Sequence, residues 1–173
     1  MWRTSSRLKL MKIQKEIMYF GNINFGNYDE VDKLVSQYPE MIDFMDENGN
    51  TGLNIAVSKS WTKTVELLCR KGVNVNRFNF EGETPLSIAV KNEDVKIIRI
   101  LLKYNAKMGI SPDSEITNPD VTASLKDAKR SEFSFKELNK HLWNAMLKDN
   151  QKEIDRFMEL GANEKMVGNG KIF

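Results

Sequence analysis

The chain has 173 residues, of which 40% are hydrophobic and 29% charged, an ordinary balance for a folded soluble protein. A formal net charge of +2 is too small to argue for nucleic acid, so no nucleic-acid partner is expected, and no apolar run approaches the length of a bilayer crossing. The one cysteine, Cys69, excludes an internal disulfide and a thiolate metal cluster.

Residues 1–15 read as a basic N-terminal arm. Arg3, Arg7, Lys9, Lys12 and Lys15 occur there without one acidic residue, interleaved with Trp2, Leu8, Leu10, Met11 and Ile13. Such a serine-containing, acid-free start is similar to a mitochondrial targeting peptide. It reads equally as a solvated arm, or as a segment touching anionic lipid through Arg3, Arg7, Lys9 and Lys12. The expected location is intracellular, mitochondrial or alternatively cytoplasmic.

Residues 16–108 read as helix pairs. The first pair is atypical: a short helix over Lys15–Phe25, a turn at Gly26-Asn27, then Asp29–Gln37 with Val31, Leu34 and Val35 on one face. Pro39 stops it. From Asp46 a fixed period takes over. Gly49, Thr51, Leu53, Ala56 and Leu68-Cys69 recur thirty-three residues later as Gly82, Thr84, Leu86, Ala89 and Leu101-Leu102. A period of that length marks stacked supersecondary units that share one continuous core. Each unit opens on a tight turn: Thr51 reads as a helix N-cap or turn anchor, Pro85 takes the first helical turn one period on, and an alanine follows where two helix backbones approach. Gly72 ends one second helix in the left-handed cap position, and Asn105 takes the same place one period on.

Residues 109–132, with Pro112 and Pro119 and few large apolar side chains, read as an insertion that allows a short helical piece near Val121 to Ala128. Periodicity returns over 133–164 with Phe135, Leu138, Leu142, Ala145 and Met146, then Ile154, Phe157 and Met158, as a C-terminal capping pair. Residues 165–173 are a short tail. The predicted fold is all-α, a short solenoid of about four helix pairs interrupted before the last.

The segments Asn48-Gly-Asn-Thr-Gly-Leu-Asn-Ile-Ala-Val and Glu81-Gly-Glu-Thr-Pro-Leu-Ser-Ile-Ala-Val resemble the helix-opening motif of the ankyrin repeat. Thr64 to Asn76 and Ile97 to Lys107 resemble its second helix and exit. Two departures stand out. Gly52 sits where the family has proline, which should loosen that turn. Asn54 and Ser87 replace the histidine that ties neighbouring turns, so only part of that hydrogen-bond network is expected and stability should lean on apolar stacking. The resemblance implies a non-catalytic protein-binding array that acts through projecting turns and first-helix faces. Because the array is short, caps or a partner should matter, which points to an accessory structural subunit of a larger complex with several protein chains as partners.

In that register the expected partner contacts are Met45, Arg77, Phe78, Phe80 and Glu81 at the turn tips. Lys59, Trp61, Glu83, Lys91 and Asn92 are expected contacts on and beside the first helices. Aromatic and arginine side chains most often carry interface energy, while packing along neighbouring turns is the competing role for the rings. Lone His141 has no companion for a metal and no nucleophile beside it. No glycine-rich phosphate loop or calcium loop is present, and Asp43, Asp46 and Glu47 read as turn caps. No catalytic residue, metal or cofactor is expected.

Overall fold

The computed structural model describes residues 2–107, 118–126 and 135–162, with side chains from residue 9 onward except 135 and 136. Expectations for the 165–173 tail, for most of the 109–132 insertion and for the Arg3 and Arg7 side chains lie outside the described residues. The helices are α1 (Trp2–Asn24), α2 (Tyr28–Gln37), α3 (Gly52–Ser58), α4 (Thr62–Arg70), α5 (Pro85–Lys91), α6 (Val95–Lys103), α7 (Pro119–Leu125), α8 (Phe135–Leu147) and α9 (Gln151–Glu159). A 3-10 turn over Pro39–Asp43 joins the first pair to the second.

The array is a stack of antiparallel pairs. First helices α1, α3 and α5 pack in sequence, second helices α2, α4 and α6 pack beside them, and each pair closes on itself. Tyr19, Ile23, Leu53, Ala56, Leu86 and Ala89 are fully buried along the inner row. Val31, Val65, Leu68, Ile97, Ile98 and Leu101 are fully buried on the outer row. One apolar cluster therefore runs through all three pairs. The cap expected at Thr51 is made, and Thr84 makes the same one a period later. Asn54 N donates to Thr51 Oγ1 at 3.3 Å while Thr51 N donates to Asn54 Oδ1 at 3.2 Å. Ser87 N donates to Thr84 Oγ1 at 3.2 Å and Thr84 N to Ser87 Oγ at 2.8 Å. Each such box contributes about 1 kcal/mol. Asn105 adopts the left-handed conformation at φ 62°, as its place in the period required.

Three expectations change. The basic arm is not separate from the first helix, because α1 runs unbroken from Trp2 to Asn24. Gly21 lies inside it, and burial of Tyr19 and Ile23 against α3 outweighs that residue's helix penalty of about 1 kcal/mol. The insertion does contain the short helix the sequence allowed, α7, but that helix packs on α6 and places fully buried Val121 in the main cluster, the place expected of the C-terminal pair. The end of the stack is thus covered by α7. The C-terminal pair α8–α9 instead forms a second cluster with Phe78 from the array. It docks through Phe78 N, which donates to Gly161 O at 3.4 Å, and Asn74 Nδ2, which donates to Met158 O at 3.2 Å. Gly161, at φ 103°, lies so close to the Asn76 carbonyl that no Cβ would fit.

Gly52 is the third. It is buried, and a Cβ there would collide with Ile23 Cδ1 and the Tyr19 hydroxyl. The glycine does not loosen a turn; it lets α1 seat against α3. Overpacking of a filled site costs typically about 1–3 kcal/mol. Gly52→Ala should lower the unfolding free energy by that amount in urea titration, and an unchanged midpoint would show that α1 is not seated there.

Candidate partner-binding face

Two equivalent turns set the geometry. Asp46 Oδ1 accepts from Asn48 N at 2.9 Å and Asn50 N at 2.8 Å. One period on, Asn79 Oδ1 accepts from Glu81 N at 3.0 Å and Glu83 N at 2.8 Å. A short polar side chain that bonds its own backbone makes a turn of fixed shape. Gly49 and Gly82 supply the left-handed residue of each, at φ 75° and 78°. The turns are laced together: Asn79 Nδ2 donates to Asn50 Oδ1 at 3.0 Å and Phe80 N to Asn48 O at 3.0 Å. The links that the missing histidine would make pass instead between turn asparagines.

Between the laced turns and the inner helices lies an open groove of about 300 Å³. Its walls are equivalent positions of the two units: Asn48 faces the same groove as Glu81, Asn50 as Glu83, Ile55 as Ile88 and Ser58 as Lys91. Lys91 Nζ lies 3.1 Å from Glu83 Oε1, and that hydrogen-bonded carboxylate raises the lysine pKa above its ordinary value.

Of the sequence-predicted contacts, Glu81, Glu83, Lys91 and Asn92 line this groove. Lys59 is exposed, one period from Asn92, outside the lining. Trp61, 39% exposed, lays its ring 3.1 Å from where a Gly26 Cβ would stand and so packs partly on the first pair. Phe80 is half-buried, its ring covering Gly49. Met45, Arg77 and Phe78 are not the exposed tips expected of them. Met45 pairs with Thr51 in an antiparallel bridge and is buried beside Ile17 and Phe20 of α1. Phe78 is buried in the C-terminal cluster, and Gly161 approaches Arg77 Cα, so the docking that covers Phe78 covers Arg77 too. Arg77 Nε has no hydrogen-bond partner among the described residues.

Among the groove residues missed in the sequence are four asparagines, Asn48, Asn50, Asn54 and Asn79, beside Ile55, Ser58 and Ile88. The signal of the asparagines was present: each is a polar residue at a turn or inner-helix register position. Elsewhere the chemistry is quiet. Cys69 is buried, and burial pushes its thiol up to about 12. His141 stacks on Phe157 with ring centroids 5.4 Å apart. Among the described residues no group of three or more His, Cys, Asp or Glu could hold a metal ion.

A family described as ankyrin repeats (3 copies) matches residues 18–112. The poly [ADP-ribose] polymerase tankyrase of Caenorhabditis elegans is 37% identical over 90 residues, covering 50% of this chain and 4% of the relative. The human transient receptor potential cation channel subfamily A member 1 is 37% identical over 65 residues, 38% of this chain and 6% of the channel. Human BCL-6 corepressor-like protein 1 is 31% identical over 100 residues, 58% of this chain and 6% of its own length. The chain thus spans only a small fraction of the length of each of these relatives.

Removing a buried phenyl ring costs about 3–5 kcal/mol. Phe78→Ala should therefore release the α8–α9 pair while the array holds. Hydrogen exchange should speed at Leu138, Leu142 and Phe157 and stay slow at Leu86 and Ile98; uniform acceleration would show that one cooperative unit was lost.

Proposed function

The chain belongs to the ankyrin-repeat family, and from that premise we propose that it is an accessory structural subunit of a larger protein assembly. Ankyrin repeats generally mediate protein–protein contact and the fold is typically non-catalytic, so the protein is read as a binding scaffold. The observation that carries this reading is the groove between the second and third units, whose turns are fixed by their own side chains before any partner arrives. Pre-fixed geometry lowers the ordering cost of association.

A second surface supports membership of an assembly. Leu10, Ile13 and Ile17 share one face of α1 and are 61%, 51% and 67% exposed, with Met11 and Met18 beside them. Tyr19 and Ile23 on the opposite side hold the helix to the array. The helix therefore carries apolar residues on two sides and spends only one. A chain with two separate contact surfaces suits a subunit held by several neighbours. The acid-free basic start supports a mitochondrial location, with the cytoplasm as the alternative. Cross-linking mass spectrometry of the native protein from fractionated cells reads both points. Lys91 and Lys9 should link to different neighbouring chains in the mitochondrial fraction, and recovery as an uncross-linked monomer would reject the subunit role.

The same stripe favours one other reading, adsorption of α1 onto anionic lipid. Lys9 is exposed beside it, whereas Lys12 lies 5.9 Å from the Phe44 ring centroid and Lys15 is paired with Glu40 at 2.9 Å. Among the described residues no helix is long and apolar enough to cross a membrane. Replacing Leu10, Ile13 and Ile17 by Gln should abolish salt-sensitive co-sedimentation with anionic vesicles. Sedimentation that survives the change removes this reading.

A further inference from the structure

We propose that Asn54 is the donor at the base of a peptide subsite in the groove, where its side-chain amide hydrogen-bonds a main-chain carbonyl of an extended, cation-bearing segment of the partner protein. This rests on the protein-binding reading above. Asn54 is 1% exposed and lines the groove, and its Nδ2 has no hydrogen-bond partner among the described residues. Its Oδ1 is fully used, accepting from Thr51 N at 3.2 Å and from the Thr51 hydroxyl at 2.5 Å. A buried donor left without an acceptor is costly.

The chain itself shows that the fold does not require that donor. Ser87 occupies the equivalent place one period on and closes the same capping box. It accepts from Thr84 N at 2.8 Å and donates its one hydroxyl hydrogen to Thr84 O at 2.9 Å, which leaves nothing over. Asn54 caps its helix equally well and leaves two buried amide hydrogens unpaired, on a residue that lines the groove. An amide N–H seeks an oxygen acceptor, and in a groove open along two units an extended chain offers its carbonyls. The rim supplies the second half of the recognition. Glu83 is taken by Lys91 and by Asn79 Nδ2 at 3.3 Å, whereas exposed Glu81 has no ion pair among the described residues. A lysine or arginine near the bound carbonyl would meet it.

The test uses the full chain and a displayed library of short unstructured peptides. Peptides selected on the native protein should carry a basic residue and should bind Asn54→Ser about tenfold more weakly, the loss of one buried hydrogen bond. Glu81→Gln should weaken the basic peptides several-fold without moving the melting temperature appreciably, and Asn54→Ser, which removes an unpaired buried donor, should not lower it. Should the serine variant fold poorly, Asn54→Asp keeps both oxygen bonds to Thr51 and replaces the donor by an acceptor, with the same loss expected. Ser58→Arg, which fills the groove from an exposed wall position, separates the two levels of the argument. Peptides lost on Ser58→Arg but unmoved by Asn54→Ser overturn the subsite and leave the protein-binding reading standing. Peptides indifferent to both, or a library that yields no binder, overturn both. A crystal structure with a selected peptide in the groove and an ordered water, not a peptide carbonyl, on Asn54 Nδ2 would also overturn the subsite.

Discussion

The inner helices are too short to exist alone. α3 and α5 have 7 residues each, and a helix of that length does not hold its own hydrogen bonds in water. What keeps them helical is the seam in which Leu53, Ala56, Leu86 and Ala89 lose all contact with solvent. Alanine at the close approach is as important as leucine, because a larger residue would hold the backbones apart and open a gap along the whole row. Since each pair can bury its faces only against its neighbours, register between units is imposed and does not have to be specified separately.

That imposed register decides what the surface can do. Once the seam is set, the two equivalent turns are presented in register, and lateral bonds such as Asn79 Nδ2 to Asn50 Oδ1 hold their spacing without large apolar side chains. Groove walls then arise from equivalent positions of successive units, so their composition varies by point substitution while the backbone stays put. The aromatic residues near the tips have less freedom. Phe80 lies over Gly49 and Phe78 is claimed by the C-terminal pair, so the groove facing a partner is largely polar.

The repeated half of the fold was legible because its signals are local. Thr51 and Thr84, Gly72 and Asn105, and the paired alanines all report on structure within a few residues of themselves. The continuation of α1 back to Trp2 was harder to read, since a helix with two apolar faces lacks the one-sided periodicity of an amphipathic helix, and its basic start read as a separate arm. Nothing occupies the space where a Gly21 Cβ would stand, so that glycine costs propensity only. The docking of Phe78 on the segment ending at Gly161 left no local trace, because two residues that far apart in the chain meet only through tertiary packing. For the same reason Phe78 and Arg77 read as exposed tips. Their positions in the period are open to solvent in a bare array, and only the C-terminal pair closes them off. Within the groove, Glu81, Glu83, Lys91 and Asn92 were readable as exposed register positions, whereas Asn54 was masked by its role as a replacement for a structural histidine.

Gly52 and Asn54 show why departures from a repeat pattern repay close reading. They stand two residues apart on the first turn of α3 and face opposite neighbours. Gly52 removes a side chain on the side of α1, where Tyr19 and Ile23 need the room. Asn54 sits on the side of the next unit, where it completes the cap with Thr51 and leaves a donor over. In the third unit, where α1 is not a neighbour, position 85 is Pro and the cap is closed by Ser87 with no surplus. The glycine is thus confined to the unit whose neighbour needs the room, and of the two histidine replacements only Asn54 leaves a donor over. A drifting repeat would loosen wherever its consensus failed; here the second unit is adapted on one face to a long first helix and on the other to an open groove, and both adaptations leave the capping box intact.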